Sequence, residues 1–250
     1  MTVQELKDYF DGLLDTESFS SLDASLNGLQ VGLADRKVSK VAFAEDANIH
    51  TISRASELGA GLLFVHHGIF WGRASSVTGA QYERIRLLIE NGLALYAAHL
   101  PLDCHKSLSH NACMANLLGL KDVKSFASVG AGEAGLYGEF EEPVEIRDIC
   151  RALGREEPQF IMGEERKIKR LGIISGDGNS DVQEAISLKL DALITGEAHY
   201  SSYNDVCDNN FCIIGLGHHF TEVFGVKAVM EQFQRDCGLE TVFIDVPCSL

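Results

Sequence analysis

Short apolar runs alternate along this chain with stretches of helical periodicity, and that alternation admits few architectures besides a sheet flanked by helices. Residues 38–43 read as a strand, 49–58 as a helix with Ala55 and Leu58 on its apolar side, and 61–65 as a buried strand. A helix over 82–91 closed by Gly92, a strand over 93–98 and a helix over 111–118 ended by Gly119 follow. Strands at 171–176 and 192–197, joined by a helix at 181–190, resume the pattern. The spacing predicts an α/β fold with a largely parallel sheet, because each helix carries the chain back to start the next parallel strand. Upstream stand a helix marked by Leu6, Phe10, Leu13 and Leu14 and a loop-like stretch, Asn27-Gly28-Leu29-Gln30-Val31-Gly32. Residues 127–165, with Gly130, Gly132, Gly135 and Gly138, read as less regular apart from a helix at 144–153.

The two halves overlay. Residues 52–67 match 182–197 in hydrophobic pattern, and downstream His99-x-x-x-Asp103 corresponds to His218-x-x-x-Glu222. The expectation is an internal duplication: two related α/β domains, 1–127 and 128–250, whose strand ends share a cleft, with 240–250 able to pack against the first domain. Pattern agreement is common between any two such units, so the shared H-x-x-x-[DE] spacing carries more of this expectation than the hydrophobic phase does.

Three apolar runs end in potential metal ligands. Residues 60–65 stop at His66-His67, 95–98 at His99 followed by Asp103, and 213–217 at His218 followed by Glu222. One histidine at a strand end is usually a hydrogen-bonded core or surface residue, but three such ends, two with the same spacing, form a pattern. Imidazole nitrogen and carboxylate oxygen hold catalytic first-row divalent ions. His66, His67, His99, Asp103, His218 and Glu222 are too many for one open site and suit two ions sharing a carboxylate, at about 3.5–4 Å separation. Adjacent residues on a strand point to opposite sides, so His66 and His67 converge only where the backbone turns, which Gly68 permits. Pro101 makes 99–103 a loop or a first helical turn. His218 and Glu222 are predicted to share a helical face, with Glu222 near the positive N-terminus of a helix over 221–233.

Other histidines read differently. His199, in Thr195-Gly196-Glu197-Ala198-His199, is a candidate acid or base together with Glu197, whereas His50, His105 and His110 read as solvent-facing or supporting residues. Phe70 and Trp71 read as core or rim packing and secondarily as a stacking platform for a base. Gly176-Asp177-Gly178 resembles part of a phosphate-binding turn without the rest of a nucleotide motif. There is no G-x-S-x-G elbow and no cysteine in an evidently electropositive setting.

Bulk properties narrow the classes further. At 250 residues with 46% hydrophobic and 23% charged content, the chain can bury a substantial core, and no apolar run nears the roughly 20 residues of a spanning helix. The acidic, amphipathic start differs from a signal peptide, and seven cysteines without a C-x-x-C pair read as reduced, mostly buried thiols, so a cytoplasmic location is expected. A net charge of −15 opposes broad DNA or RNA binding. Two divalent ions, about +4 against two carboxylates, would still draw a small anion.

Val65-His66-His67-Gly68-x-Phe70-Trp71, His99-Leu100-Pro101-Leu102-Asp103, Thr195-Gly196-Glu197 and Gly217-His218-His219-x-Thr221-Glu222, with Asn27-Gly28-Leu29-Gln30-Val31 upstream, resemble the NIF3-like dinuclear metal-centre family, also called GTP cyclohydrolase 1 type 2. The resemblance spans nearly the whole chain, in order, at the length of compact bacterial members. It implies two related α/β domains, a two-metal site at their interface, a ring-shaped homohexamer, and ligand roles for His66, His67, His99, Asp103, His218 and Glu222; His219 stands where the family often has Tyr. His, Asp and Glu ligands admit zinc, iron, manganese, nickel or cobalt. If the cyclohydrolase name holds, an activated water opens the imidazole ring of the guanine of GTP while Glu197 or His199 moves protons. The broader expectation is a metal-dependent hydrolase of nucleotides or other small anions. The alternative is a non-enzymatic metal-holding or interaction protein whose metal is structural.

Overall fold

The structure, a computed structural model, describes residues 1–130 and 132–248. In chain order its elements are α1 (Val3–Leu14), β1 (Gly28–Val31), β2 (Lys40–Asp46), α2 (Ile49–Glu57), β3 (Leu62–His67), α3 (Gly79–Asn91), β4 (Ala94–Ala97), the single turn α4 (Leu100–Asp103) and α5 (His110–Leu117). There follow β5 (Lys121–Val129), β6 (Gly132–Val144), α6 (Ile146–Ala152), β7 (Phe160–Gly163), β8 (Ile168–Asp177), α7 (Val182–Ser187), β9 (Ala192–Glu197), α8 (Tyr203–Asp208), β10 (Cys212–Gly215), α9 (His218–Cys237) and β11 (Glu240–Phe243). Two compact units result: Met1–His105 with Val226–Val246, and Lys106–Gly225 with the last residues from Pro247. The expected boundary at 127/128 thus compares with a division at 105/106 and a return of 226–246 to the first unit.

In the first unit the strand order is β1-β4-β3-β2-β11, parallel except for β1, which runs antiparallel to β4. Both faces of this sheet are covered, which is why its strands read as continuous apolar runs. Alternate residues Phe43, Phe64 and Tyr96 meet Phe10 of α1 and Phe233 of α9, with Phe10 centroids 4.9–6.1 Å from its four partners. Leu63, Val65, Leu95 and Ala97 pack on the opposite face with Ile52, Ala55 and Leu88 from α2 and α3. Helix α1 starts on a reciprocal capping box between Thr2 and Glu5, and α3 ends at Gly92 in the left-handed conformation.

The second unit has the order β5-β6-β8-β9-β10-β7, in which β8, β9 and β10 are parallel and the others antiparallel. Ile173, Ile194 and Ile214 pack with Met114 and Ile149, while Ile174, Leu193 and Ile213 pack with Val182, Val206 and Phe211.

Three expectations need correction. The stretch at 27–32 contains a strand, because Gly28 (φ +99°) and its neighbours pair with β4. The helix expected at 144–153 is present as α6, but in place of irregular chain from residue 127 the strands β5 and β6 form an antiparallel hairpin. Its glycines admit close neighbours: a Cβ at Gly138 would lie 2.7 Å from the Lys121 carbonyl, and one at Gly135 2.7 Å from the Phe126 ring. The sheet of the first unit is largely parallel, as expected, with β1 antiparallel, but that of the second carries β5, β6 and β7 antiparallel, so both sheets are mixed. No helix among the described residues is long and apolar enough to cross a membrane.

Candidate metal centre

In the first unit, β3 runs through His66 and His67 before the chain bends at Ile69, and the parallel register sets Val65 beside Ala97 and Asp46 beside His67. The strand ends of β3 and β4 therefore carry three imidazoles together, with centroid separations of 4.5 Å (His66–His67), 5.1 Å (His66–His99) and 5.7 Å (His67–His99). Each offers a nitrogen within 4.8 Å of the others. His66 and His67 come together despite being strand neighbours, at the end of β3 just before the bend at Ile69. Helix α4 then brings Asp103 back one turn after His99. Its carboxylate oxygens lie 3.6 Å from His66 Nε2 and 3.9 Å from His99 Nε2.

What orients these rings is on their other nitrogen. His66 Nδ1 donates to the Ala98 carbonyl (2.9 Å), His67 Nδ1 to Asp46 (2.9 Å) and His99 Nδ1 to Asp23 (2.9 Å). Carbonyl and carboxylate oxygens only accept, so the proton sits on Nδ1 and Nε2 carries the lone pair that a metal takes. Burial pulls His99 down, but the Asp23 hydrogen bond and the charges of Asp103 and Asp23 outweigh it and hold the imidazole above its usual range. Asp23 is the mirror case: burial raises it, yet hydrogen bonds from His99 and Asn27 bring it below the usual carboxylate range.

In the second unit the ligands share a helix. His218 opens α9 and Glu222 lies one turn on, 3.0 Å from His218 Nε2. Because the helix starts at His218 rather than near 221, Glu222 sits in its second turn, where the end dipole has largely faded. His218 Nδ1 donates to Glu197 at 2.6 Å. The Glu222 hydrogen bond, opposed by burial and reinforced by Glu197, pushes His218 up to about 10.

Glycines make room for this turn. A Cβ at Gly176 (φ +66°) would lie 2.2 Å from Glu222 Oε1, and one at Gly196 2.6 Å from His218 Cα. Thr221 Oγ1 accepts from Gly176 N–H, and Thr195 Oγ1 from Gly178 N–H. The Gly176-Asp177-Gly178 resemblance to a phosphate turn is thus accounted for by packing beneath α9.

In the first unit three histidines stand with Asp103, and in the second His218 stands with Glu222; imidazole nitrogen and carboxylate oxygen are the donor types of first-row divalent ions, so the residues fit such a metal. Glu197 is engaged with His218, and with Asp177 and His199 it forms a more exposed group whose ligand atoms lie within 4.8 Å of one another; His199 Nε2 is 3.3 Å from Asp177. His110, read as solvent-facing or supporting, is fully buried and accepts from Gly225 N–H through Nδ1. His105 is partly buried and its imidazole is lowered by that burial. His50 is exposed, and His219 is buried beside His218. Phe70 packs on the first core, while Trp71, 41% exposed, stands at the rim with its ring 5.0 Å from His99 and 5.8 Å from His67.

Sequence reasoning missed Asp23 and Asp46. The signal for Asp46 was present: the run 41–46 also ends in carboxylates, Glu45-Asp46, as a fourth strand end bearing ligand-type groups. Glu45 is buried, its Oε1 3.9 Å from His67 Nδ1. Nothing in the periodicity singles out Asp23.

Relatives share this chain from end to end. A GTP cyclohydrolase 1 type 2 homolog of Treponema pallidum is 36% identical and covers 100% of both chains. The solved structure titled protein ybgI, of unknown function, is 31% identical, covers 100% of both chains and superposes with a TM-score of 0.89. TTHA1606 of Thermus thermophilus is 34% identical over 100% of both chains, with a TM-score of 0.87. The family model described as Duf34/NIF3 (NGG1p interacting factor 3) matches residues 1–248. This chain belongs to the DUF34/NIF3 family.

Proposed function

We propose that this protein is a metal-dependent hydrolase that holds two divalent transition-metal ions per chain through His66, His67, His99, Asp103, His218 and Glu222. The observation that carries the reading is the common arrangement of the four imidazoles, each with Nδ1 held by an oxygen acceptor so that Nε2 is the nitrogen left to face a metal; at His218 that nitrogen meets Glu222 at 3.0 Å and would give up its proton when a metal binds. When bound, such ions lower the pKa of a water toward neutrality and neutralise negative charge on the substrate.

The chain's own groups supply the rest. Asp103 faces two imidazoles and fixes them against one another. His199, beside Asp177, is exposed and able to exchange a proton with a substrate atom, while Glu197 holds one on the His218 side. Trp71 offers an open aromatic surface next to His67 and His99, suited to one face of a planar ring. The substrate class is a nucleotide or other small anion, and the relatives' GTP cyclohydrolase name makes GTP the first compound to try.

We also read the two units as copies of one duplicated plan. In each, three parallel strands occur in the same order, and Asp46 pairs with His67 at one strand end as Asp177 pairs with Glu197 at the other. The family reading carries a cytoplasmic homohexamer as well, which sedimentation of the intact chain tests.

The functional test is a screen of the metal-replete protein against nucleotides and phosphoesters, with His66→Ala, Asp103→Ala and Glu222→Ala alongside. Turnover by the native chain that falls in all three variants supports a hydrolase. Equal activity in native and variant proteins would reject it, and metal uptake without turnover would favour a structural metal.

A further inference from the structure

The segment Asn27-Gly28-Leu29-Gln30-Val31 stands out in the sequence, yet none of its side chains is placed among the ligands. Its neighbourhood shows what it does. Asp23, whose side chain is only 2% exposed, spends both carboxylate oxygens: Oδ1 accepts from His99 Nδ1 and Ser25 N–H, each at 2.9 Å, and Oδ2 accepts from Leu100 N–H (2.9 Å) and the Asn27 carboxamide (2.8 Å). Asn27 Oδ1 accepts the His99 backbone N–H at 2.8 Å. Ring, backbone and following turn of His99 are therefore all held by residues 23–27.

The same segment reaches the turn after His66 and His67. Gln30 Oε1 accepts Ile69 N–H at 2.8 Å, and its Nε2 donates to the Leu26 carbonyl at 2.7 Å. Residues 24–26 lie against 70–72 through Leu26 N–H to the Phe70 carbonyl (3.0 Å), Gly72 N–H to the Ala24 carbonyl (2.5 Å) and a bridge between Ser25 and Trp71. Gly68 is needed for this fit, since a Cβ there would fall 2.3–2.6 Å from the Gln30 carboxamide. Leu26 joins the two halves of the strap, because it meets Gln30 and Phe70 in the same stretch.

We propose that residues 23–30 are a positioning strap that sets the metal affinity of the first unit by fixing the His66–His67 turn and His99 as one piece. Asp23 and Gln30 are positioning residues rather than ligands. The inference rests on the metal-centre reading above and extends it to residues outside the ligand set.

The test uses the full chain stripped of metal and titrated with Zn²⁺ alone, by competition with a chromophoric chelator. Co²⁺ absorption reports the ligand field. Trp71, the one tryptophan of the sequence, reports paramagnetic quenching by Co²⁺ at the strap. Asp23→Asn keeps the shape but turns an acceptor into a donor, and it is expected to weaken Zn²⁺ binding about 10- to 100-fold, the range for groups that orient metal-bound histidines, with a changed Co²⁺ spectrum. Gln30→Ala is expected to weaken it less, Gln30→Glu to restore part of the loss by keeping the acceptor for Ile69, and the Asp23→Asn/Gln30→Ala double variant to lose less than the product of the single effects.

Wild-type Zn²⁺ affinity and an unchanged Co²⁺ spectrum in both single variants, while His99→Ala loses binding, would overturn the strap and leave the metal centre standing. A native chain that takes up no metal would overturn both. If Asp23→Asn does not fold, Gln30→Ala decides by itself: it removes no core contact, and an unchanged spectrum in it rejects the strap.

Discussion

The first unit presents its metal-facing groups from strand ends, the second from one face of a helix, and the two solutions need different support. Parallel strands β3 and β4 place histidines side by side but leave each ring free to rotate, so each has its own oxygen acceptor: Ala98, Asp46 or Asp23. On α9, helical periodicity already aligns His218 with Glu222, and the support needed is space, provided where Gly176 and Gly196 lack side chains. Strand-end sites depend on distant acceptors. Helix-face sites depend on close backbone approach as well as on the one acceptor, Glu197, that holds His218.

One face of the first unit's sheet is packed by a cluster of aromatic rings, whereas the cores of the second unit are chiefly aliphatic, and the largest expected effect tests that difference. Phe10→Ala removes the ring at the centre of four aromatic partners and should destabilise the chain by about 3–5 kcal/mol in denaturant unfolding. A loss below about 1 kcal/mol would mean that the aromatic cluster is not the keystone of that unit. Next, Gly176→Ala puts a Cβ in left-handed backbone against Glu222 and should cost about 2 kcal/mol or more while lowering metal content. Gly68→Ala should be milder, because its neighbour is the end of the Gln30 side chain, and equal losses would erase the distinction between the two kinds of support.

Glu197→Gln leaves the helix face intact and should weaken Zn²⁺ binding by about tenfold or more, through loss of the carboxylate charge that faces His218 Nδ1. Asp46→Asn should act similarly on His67. An effect confined to one of them would show that only one unit relies on orienting carboxylates. At the small end, Ile194→Val trims the aliphatic core of the second unit and should cost about 0.5–1.5 kcal/mol with no change in metal content.

Much of this was legible in the chain itself. The strands around Leu63, Leu95 and Leu193 declare themselves because sheets covered on both faces need unbroken apolar runs, and His66, His67 and His99 lie at their ends. The hairpin of β5 and β6 was hidden by glycines that suggest irregular chain but in fact let Phe126 and the Lys121 carbonyl approach. The start of α9 was misplaced by three residues because Gly217-His218-His219 has no apolar period of its own. Asp23 was invisible because its function depends on contact with His99, 76 positions away, which no local pattern records.

The central claim is that six residues drawn from both units hold two metal ions in each chain. Metal content per chain, measured by elemental analysis after metal-replete purification of the native protein and of His99→Ala and His218→Ala, tests it most directly. The account predicts about two divalent ions per native chain and a clear loss in each variant. Fewer than about one ion in the native chain, or full content retained in either variant, would contradict it.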